Sequence, residues 1–393
     1  MKRRWRLWPG AVLLPLVLAA CGSAPTSAGN VSDGMAENLV GEPQSEAQVP
    51  PPATVGDQAS ELWDQMSRRE QAASVLMLNY PGTDAASIAQ FVSEIQPAGL
   101  IFMGDGIPED ESSLPGTIER IQSEAQLPLL IAVDQEGGLV RRVTTDPAPG
   151  AEELRNQDAQ TTKDAFAARG ARLSELGFNT NFGIVADVTD DPGSFIYARV
   201  LGVDPDSAAN HVAAAVAGEK PYVLSTLKHF PGHGSVAADS HVSLPTTDMT
   251  YEQWQSSEAP PFIAGIDAGA EMVMLGHLAY TNIDTAPASL SPTWVGILRE
   301  DLGFEGVLVT DDMKMLRDNG IAEYQDAGRN AVAALNAGVD LVLDIGEGGV
   351  APQDFANGLI DSILEAVDSG ELPEETLRSA ALRVLELRLE LEG

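Results

Sequence analysis

Cysteine is almost missing from this 393-residue chain; the one present is Cys21. A single cysteine excludes an intramolecular disulfide and a thiolate metal cluster. Basic residues are also scarce, 23 Lys and Arg against 58 Asp and Glu, giving a formal charge of −35. Nucleic-acid binding needs clustered Lys and Arg to meet phosphates, so this balance excludes nucleic acid as a partner. Histidine occurs only five times. No G-x-G-x-x-G follows the first apolar run, and neither H-E-x-x-H nor G-x-S-x-G occurs. The usual signatures of a dinucleotide fold, a zinc protease helix and a serine nucleophile elbow are therefore missing. What the chain does have is 44% hydrophobic residues, enough for a sizeable core and too many for a disordered chain. Its length suits one large domain with tails, or two small ones.

The N-terminus reads MKRRWRLWPGAVLLPLVLAAC. Lys2, Arg3, Arg4 and Arg6 form a positive segment, and Leu7 to Ala20 is an apolar run shorter than the ~20 residues that span a bilayer. These are signal-peptide proportions. Leu18-Ala19-Ala20-Cys21 resembles a bacterial lipobox, in which the Cys sulfur is acylated and cleavage leaves Cys21 first. Two acyl chains on one residue would supply stable anchoring. Loss of residues 1–20 would remove four basic and no acidic residues, moving the charge from −35 to −39. Residues 22–56 are rich in Gly, Ser, Pro, Ala and acids and bury little, so 21–56 is expected to be a lipidated Cys and flexible tether. Such a tether spans roughly 30–35 Å. The expected domain is 57–393, outside the cytoplasm, lipid-anchored to the cell membrane and facing the cell wall.

From residue 57 onward, short apolar runs alternate with stretches of helical spacing. The pattern predicts eight strands: Ser74–Leu78, Gly99–Met103, Leu129–Val133, Thr180–Ala186, Val223–Leu227, Met272–Leu275, Gly306–Thr310 and Val339–Leu343. Their runs are continuous rather than alternating, as in parallel strands buried on both faces. Helices are predicted between them, including Asp84–Ile95, Ser112–Gln126, Lys163–Leu176, Asp206–Ala217, Tyr251–Ala268, Pro292–Leu302 and Ala322–Ala337. Two more follow, near Pro352–Ser369 and Glu374–Glu390. The expected fold is α/β, a single (β/α)8 barrel, with a doubly wound open sheet as the alternative. Titratable residues stand at the ends of six runs: Asp134, Asp187, Lys228-His229, His277, Asp311-Asp312 and Asp344. In a barrel they would gather on the C-terminal rim, where active sites lie.

Three histidines fall within thirteen residues, in Lys228-His229-Phe230-Pro231-Gly232-His233-Gly234-Ser235-Val236-Ala237-Ala238-Asp239-Ser240-His241. Pro and Gly make this a loop. No further His or Glu sits at helical spacing, so no metal is expected. Asp239, two residues before His241, could fix the tautomer of that imidazole and raise its basicity. Asp311, on another strand end, is the obvious partner.

The run Ala132-Val133-Asp134-Gln135-Glu136-Gly137-Gly138-Leu139-Val140-Arg141-Arg142 resembles the D-Q-E-G-G-x-V-x-R segment of glycoside hydrolase family 3, and within it the bacterial β-N-acetylhexosaminidases. Gly177 to Phe182 with Val185-Ala186-Asp187-Val188 is similar to that family's fourth strand, and Ala198-Arg199-Val200-Leu201-Gly202 to its S-R-S-F-G segment. The K-H-F-P-G-H-G-x4-D-S-H loop and Val309-Thr310-Asp311-Asp312-Met313 also correspond. Leu139, Arg141 and Val200-Leu201 depart from the more usual residues, which bears on fine substrate contacts.

The resemblance implies a (β/α)8 barrel with Asp311 as nucleophile, His241 as general acid/base and Asp239 as its partner. An imidazole of near-neutral pKa can protonate the leaving oxygen and later deprotonate water. Asp134 is expected to accept from sugar hydroxyls, and Arg142, Arg199, Lys228 and His229 to donate around the hydroxyls and the acetamido group. His233 is expected to shape the loop and Asp312 to support the site. The implied activity is a retaining exo-β-N-acetylglucosaminidase acting on GlcNAc-containing saccharides or muropeptides, without a cofactor and as a monomer. A GlcNAc phosphorylase, a non-catalytic sugar-binding lipoprotein and a β-glucosidase are the alternatives.

Overall fold

The computed structural model describes residues 54–236 and 244–392. Cys21, Asp239 and His241 lie outside the described residues. Eight parallel strands form the centre: β1 (Leu76–Leu78), β2 (Gly99–Phe102), β3 (Leu130–Val133), β4 (Thr180–Val185), β5 (Leu224–Phe230), β6 (Met272–Leu275), β7 (Val307–Thr310) and β8 (Val342–Asp344). They hydrogen-bond in the order β7-β6-β5-β4-β3-β2-β1-β8. A bridge between Val309 and Leu341, with Thr310 N–H donating to Leu341 O at 3.0 Å, brings β7 back to the start of β8. The ring is thus nearly closed, a (β/α)8 barrel rather than an open doubly wound sheet.

Both strand faces are buried, which is why the runs are continuously apolar. Met77, Ile101, Leu130, Ala132, Phe182 and Met272 belong to the inner cluster. Their neighbours Leu76, Leu78, Leu100, Phe102, Ile131 and Val133 belong to the outer cluster, against the helices. The final helix, Glu374–Leu389, joins the inner cluster through Val384 and Leu387. Its buried Arg388 donates to the carbonyls of Pro128 and Leu127 at 2.7 and 3.1 Å.

The helical layer departs from the sequence expectation in several places. Helices Val55–Gln65 and Arg68–Ala73 precede β1, each started by a capping box, Thr54 with Asp57 and Ser67 with Glu70. The first begins two residues before the expected boundary at 57. The segment Tyr251–Ala268 is two helices, Tyr251–Ser257 and Ala259–Asp267, because Pro260 and Pro261 supply no N–H to continue the first. Pro292–Leu302 is a short α-helix, Pro292–Gly296, running into a π turn, Ile297–Asp301. Regular helix before β8 starts at Ala327, capped by Asp326, after a 3-10 turn at Ala322–Tyr324.

Candidate active site

The C-terminal ends of the strands carry the polar residues, and six of those singled out in the sequence meet there. Asp134, Arg142, Arg199, Lys228, His229 and Asp311 line one cleft of about 330 Å³. That volume is within the ~300–1,000 Å³ usual for small-molecule sites.

The D-Q-E-G-G run is a backbone device. Gln135–Gly137 pairs antiparallel with Val140–Arg141, so the chain doubles back directly after β3. Buried Gln135 holds the fold-back: its Oε1 accepts from the N–H groups of Arg142 and Val143, each at 2.9 Å, and its Nε2 donates to Asp146 at 2.9 Å. Gly137 has φ +80°, and a Cβ there would sit 2.2 Å from the Arg169 guanidinium. The hairpin brings Arg142 back over Asp134, with NH2 3.6 Å from Oδ2. Leu139 and Arg141 are exposed, and neither lines the cleft.

Glu136 is the residue the sequence reading passed over. It is 4% exposed. Its Oε1 lies 2.7 Å from both Lys228 Nζ and Arg199 NH2, and its Oε2 accepts from Arg199 Nε at 2.9 Å. Burial pushes the Glu136 carboxyl up, but Lys228 and Arg199 outweigh it and bring it down to about 2. Lys228 Nζ also donates to Asp134 Oδ1 at 3.1 Å. Burial lowers the Lys228 ammonium, and Glu136 and Asp134 overcome this to leave it raised. Arg199 enters from a 3-10 turn, Tyr197–Arg199, flanked by Ile196 and Val200, which form a small buried cluster with Val185. Val200 and Leu201 are therefore packing residues.

Asp187, two residues after β4, is fully buried. Its Oδ2 is 2.8 Å from His229 Nδ1, while its Oδ1 accepts from the backbone N–H groups of His229 and His233 at 3.3 and 2.6 Å. His233 is also in the cleft wall, its ring edge-on to Phe195 with centroids 4.7 Å apart. Burial lowers its imidazole to about 4, so it is neutral.

Two adjacent carboxylates follow β7, and their surroundings divide them. Asp312 caps the helix Met313–Asp318, its Oδ1 accepting from the N–H groups of Lys314 and Ile345 at 3.1 Å each. Burial, with Asp344 nearby, raises its carboxyl to about 7. Asp311 is different. Burial raises its carboxyl too, but His229, His277, the Asp312 N–H and Lys228 together hold it below the ordinary value. Its Oδ1 accepts from Asp312 N–H at 2.8 Å, and its Oδ2 makes no hydrogen bond among the described residues. His277 lies 2.9 Å through Nε2 from the Asp312 carbonyl and 2.7 Å through Nδ1 from Ser289 Oγ. Asp344 is held by Arg317 in a bidentate pair at 2.6 and 3.0 Å and lies outside this cleft. Among the described residues no group of three or more His, Cys, Asp or Glu side chains could hold a metal ion.

The barrel agrees with the comparisons to known proteins. Residues 69–387 match the family model described as the glycosyl hydrolase family 3 N terminal domain. The chain belongs to glycoside hydrolase family 3. It is 33% identical over 278 residues to a beta-hexosaminidase of Idiomarina loihiensis, covering 68% of this chain and 82% of that protein. It is 31% identical over 333 residues to beta-hexosaminidase A of Pseudoalteromonas piscicida, covering 77% of this chain but 55% of that protein. Among solved structures it is similar to a family 3 beta-N-acetylglucosaminidase from Paenibacillus sp. FPU-7. There the TM-score is 0.77 at 30% identity, over 84% of this chain and 64% of that one. The chain thus spans between about half and four-fifths of the length of these relatives.

Proposed function

We propose that this family 3 glycoside hydrolase is a retaining exo-β-N-acetylglucosaminidase that removes terminal β-linked GlcNAc, with peptidoglycan fragments as its substrates. The observation that carries the reading is the division between Asp311 and Asp312. Asp311 is the carboxylate kept ionised at the cleft, with Oδ2 uncommitted. That is the state a nucleophile needs to attack an anomeric carbon. Around it, Asp134 offers acceptors, and Lys228, Arg199 and Arg142 offer donors, the mixture that sugar hydroxyls and an acetamido group call for. His241, with Asp239 beside it in the sequence, protonates the leaving oxygen, then takes a proton from the water that releases the sugar. That assignment rests on the D-S-H sequence alone. The chain acts as a monomer anchored by acylated Cys21, outside the cytoplasm and against the cell wall.

The test is hydrolysis of an aryl β-GlcNAc and product analysis on purified muropeptides, with Asp311→Asn and His241→Ala beside wild type. GlcNAc is the expected product, and Asp311→Asn lowers turnover on the order of a thousand-fold or more. GlcNAc-1-phosphate formed on adding phosphate would replace hydrolysis with phosphorolysis. Absence of turnover, unchanged by Asp311→Asn, would leave a sugar-binding protein. Metabolic labelling with a fatty acid, lost in Cys21→Ser, tests the anchor.

A further inference from the structure

We propose that Asp187 is a positioning residue that fixes the tautomer of His229 and, through that imidazole, the aim of Arg199 into the cleft. The geometry is a chain of three side chains drawn from three parts of the sequence. His229 stands between Asp187 Oδ2, 2.8 Å from its Nδ1, and Arg199 NH2, 3.3 Å from its Nε2. A guanidinium only donates hydrogen bonds. The ring nitrogen facing it must therefore present a lone pair, which puts the single ring proton on Nδ1, where Asp187 accepts it. Reversing the tautomer would aim N–H at N–H on one side and leave a buried carboxylate facing a lone pair on the other.

Arg199 is the element this arrangement aims. Its Nε and NH2 are taken by the two oxygens of Glu136, and NH2 is shared with His229. Its NH1 makes no hydrogen bond among the described residues, and Arg199 lines the cleft, so NH1 is the donor offered to a substrate. The two Asp187 oxygens have separate tasks. Oδ1 ties down the turn through the N–H groups of His229 and His233, and Oδ2 serves the imidazole. A plain turn anchor would need only the first.

That separation makes the proposal testable by an isosteric change. In Asp187→Asn the amide oxygen can keep both backbone N–H groups. The NH2 then replaces Oδ2 and demands an acceptor at Nδ1, which forces the proton to Nε2, against Arg199. The experiment is nitrogen NMR of the full chain labelled with 15N-histidine, with His229 assigned by its loss in His229→Gln, alongside kinetics on an aryl β-GlcNAc. The wild type is expected to show neutral His229 protonated on Nδ1, and Asp187→Asn to show it protonated on Nε2. With the flip, kcat/KM should fall at least about tenfold, mainly through KM, because Arg199 binds ground state and transition state alike. A wild-type His229 protonated on Nε2, or on both nitrogens, overturns the proposal. So does a variant that keeps the Nδ1 proton, one that flips with kcat/KM within twofold of wild type, or a loss carried by kcat at unchanged KM. If Asp187→Asn does not fold, the wild-type tautomer decides. Only the kinetic half rests on the glycosidase reading. A wild type that shows the Nδ1 proton but no turnover refutes that reading and leaves the tautomer assignment standing.

Discussion

Replacing Glu136 by Gln removes the anion shared by Lys228 and Arg199 while keeping its shape. Two routes give the size of the effect. Deleting one partner of a buried ion pair costs about 3–5 kcal/mol, because the other charge stays buried and uncompensated. The Glu136 carboxyl, brought from 4.5 down to about 2 in the folded state, corresponds to roughly 3 kcal/mol at about 1.4 kcal/mol per pKa unit. The agreement supports a loss of about 3–4 kcal/mol at neutral pH. Because the folded pKa is depressed, this stability is complete above about 4.5 and is lost as pH falls toward about 2. The difference between wild type and Glu136→Gln should therefore be constant from pH 7 to 5 and narrow by about 2 kcal/mol on going to pH 3. Urea unfolding followed by circular dichroism at a series of pH values measures both quantities. A difference below about 0.5 kcal/mol at pH 7, or one that does not narrow in acid, would refute the reasoning. A stability loss with no rise in KM would mean that Glu136 supports the fold without holding Arg199 and Lys228 for substrate.

Two further substitutions test the scaffold. Gly137→Ala forces an L side chain into φ +80° and against Arg169, whose guanidinium is pinned by Asp146 at 2.9 Å, so a loss of about 2–5 kcal/mol is expected in the same unfolding assay. Wild-type stability would contradict the account of the hairpin. Phe182→Ala empties part of the barrel interior and should cost about 3–5 kcal/mol while leaving KM unchanged, since Phe182 does not line the cleft. A changed KM would show that the inner packing reaches the rim.

The barrel could be read from the chain because parallel strands buried on both faces leave unbroken apolar runs, and each of the eight overlaps its observed strand. The helices Val55–Gln65 and Arg68–Ala73 could not be read from apolar periodicity, since few of their residues are buried. Their capping boxes, Thr54 with Asp57 and Ser67 with Glu70, were the available signal. The break at Glu258 was likewise announced by Pro260-Pro261. Asp134, Lys228, His229 and Asp311 were legible because polar side chains resume at strand ends, which in a barrel is one rim, whereas Arg142, just after a hairpin, and Arg199, in a 3-10 turn, were legible only through the family motifs. Glu136 and Asp187 were harder. Their significance comes from partners 63 and 42 residues away in sequence, Arg199 and His229, and no local spacing encodes such pairings.

The charge inventory of the cleft bears on the chemistry. On the proposed reading, with Asp311 as nucleophile, the glycosidase transition state gathers positive charge at the anomeric carbon, so free cations beside Asp311 would oppose it. Here each cation of the described lining is committed to an anion: Arg199 to Glu136, Lys228 to Glu136 and Asp134, Arg142 to Asp134, Lys314 to Asp318. Asp187 and Asp311 bring further carboxylates, with the His229 imidazole hydrogen-bonded between Asp187 and Arg199. Among the described residues, the four cations Arg142, Arg199, Lys228 and Lys314 line the cleft with five carboxyl groups, Asp134, Glu136, Asp311, Asp312 and Asp318, so the lining is not net positive around Asp311. On that reading the basic residues of this acidic chain would donate hydrogen bonds to a sugar without presenting net positive charge to the oxocarbenium centre. This electrostatic arrangement depends on Glu136 and Asp134, each paired with two cations, Glu136 with Arg199 and Lys228 and Asp134 with Lys228 and Arg142.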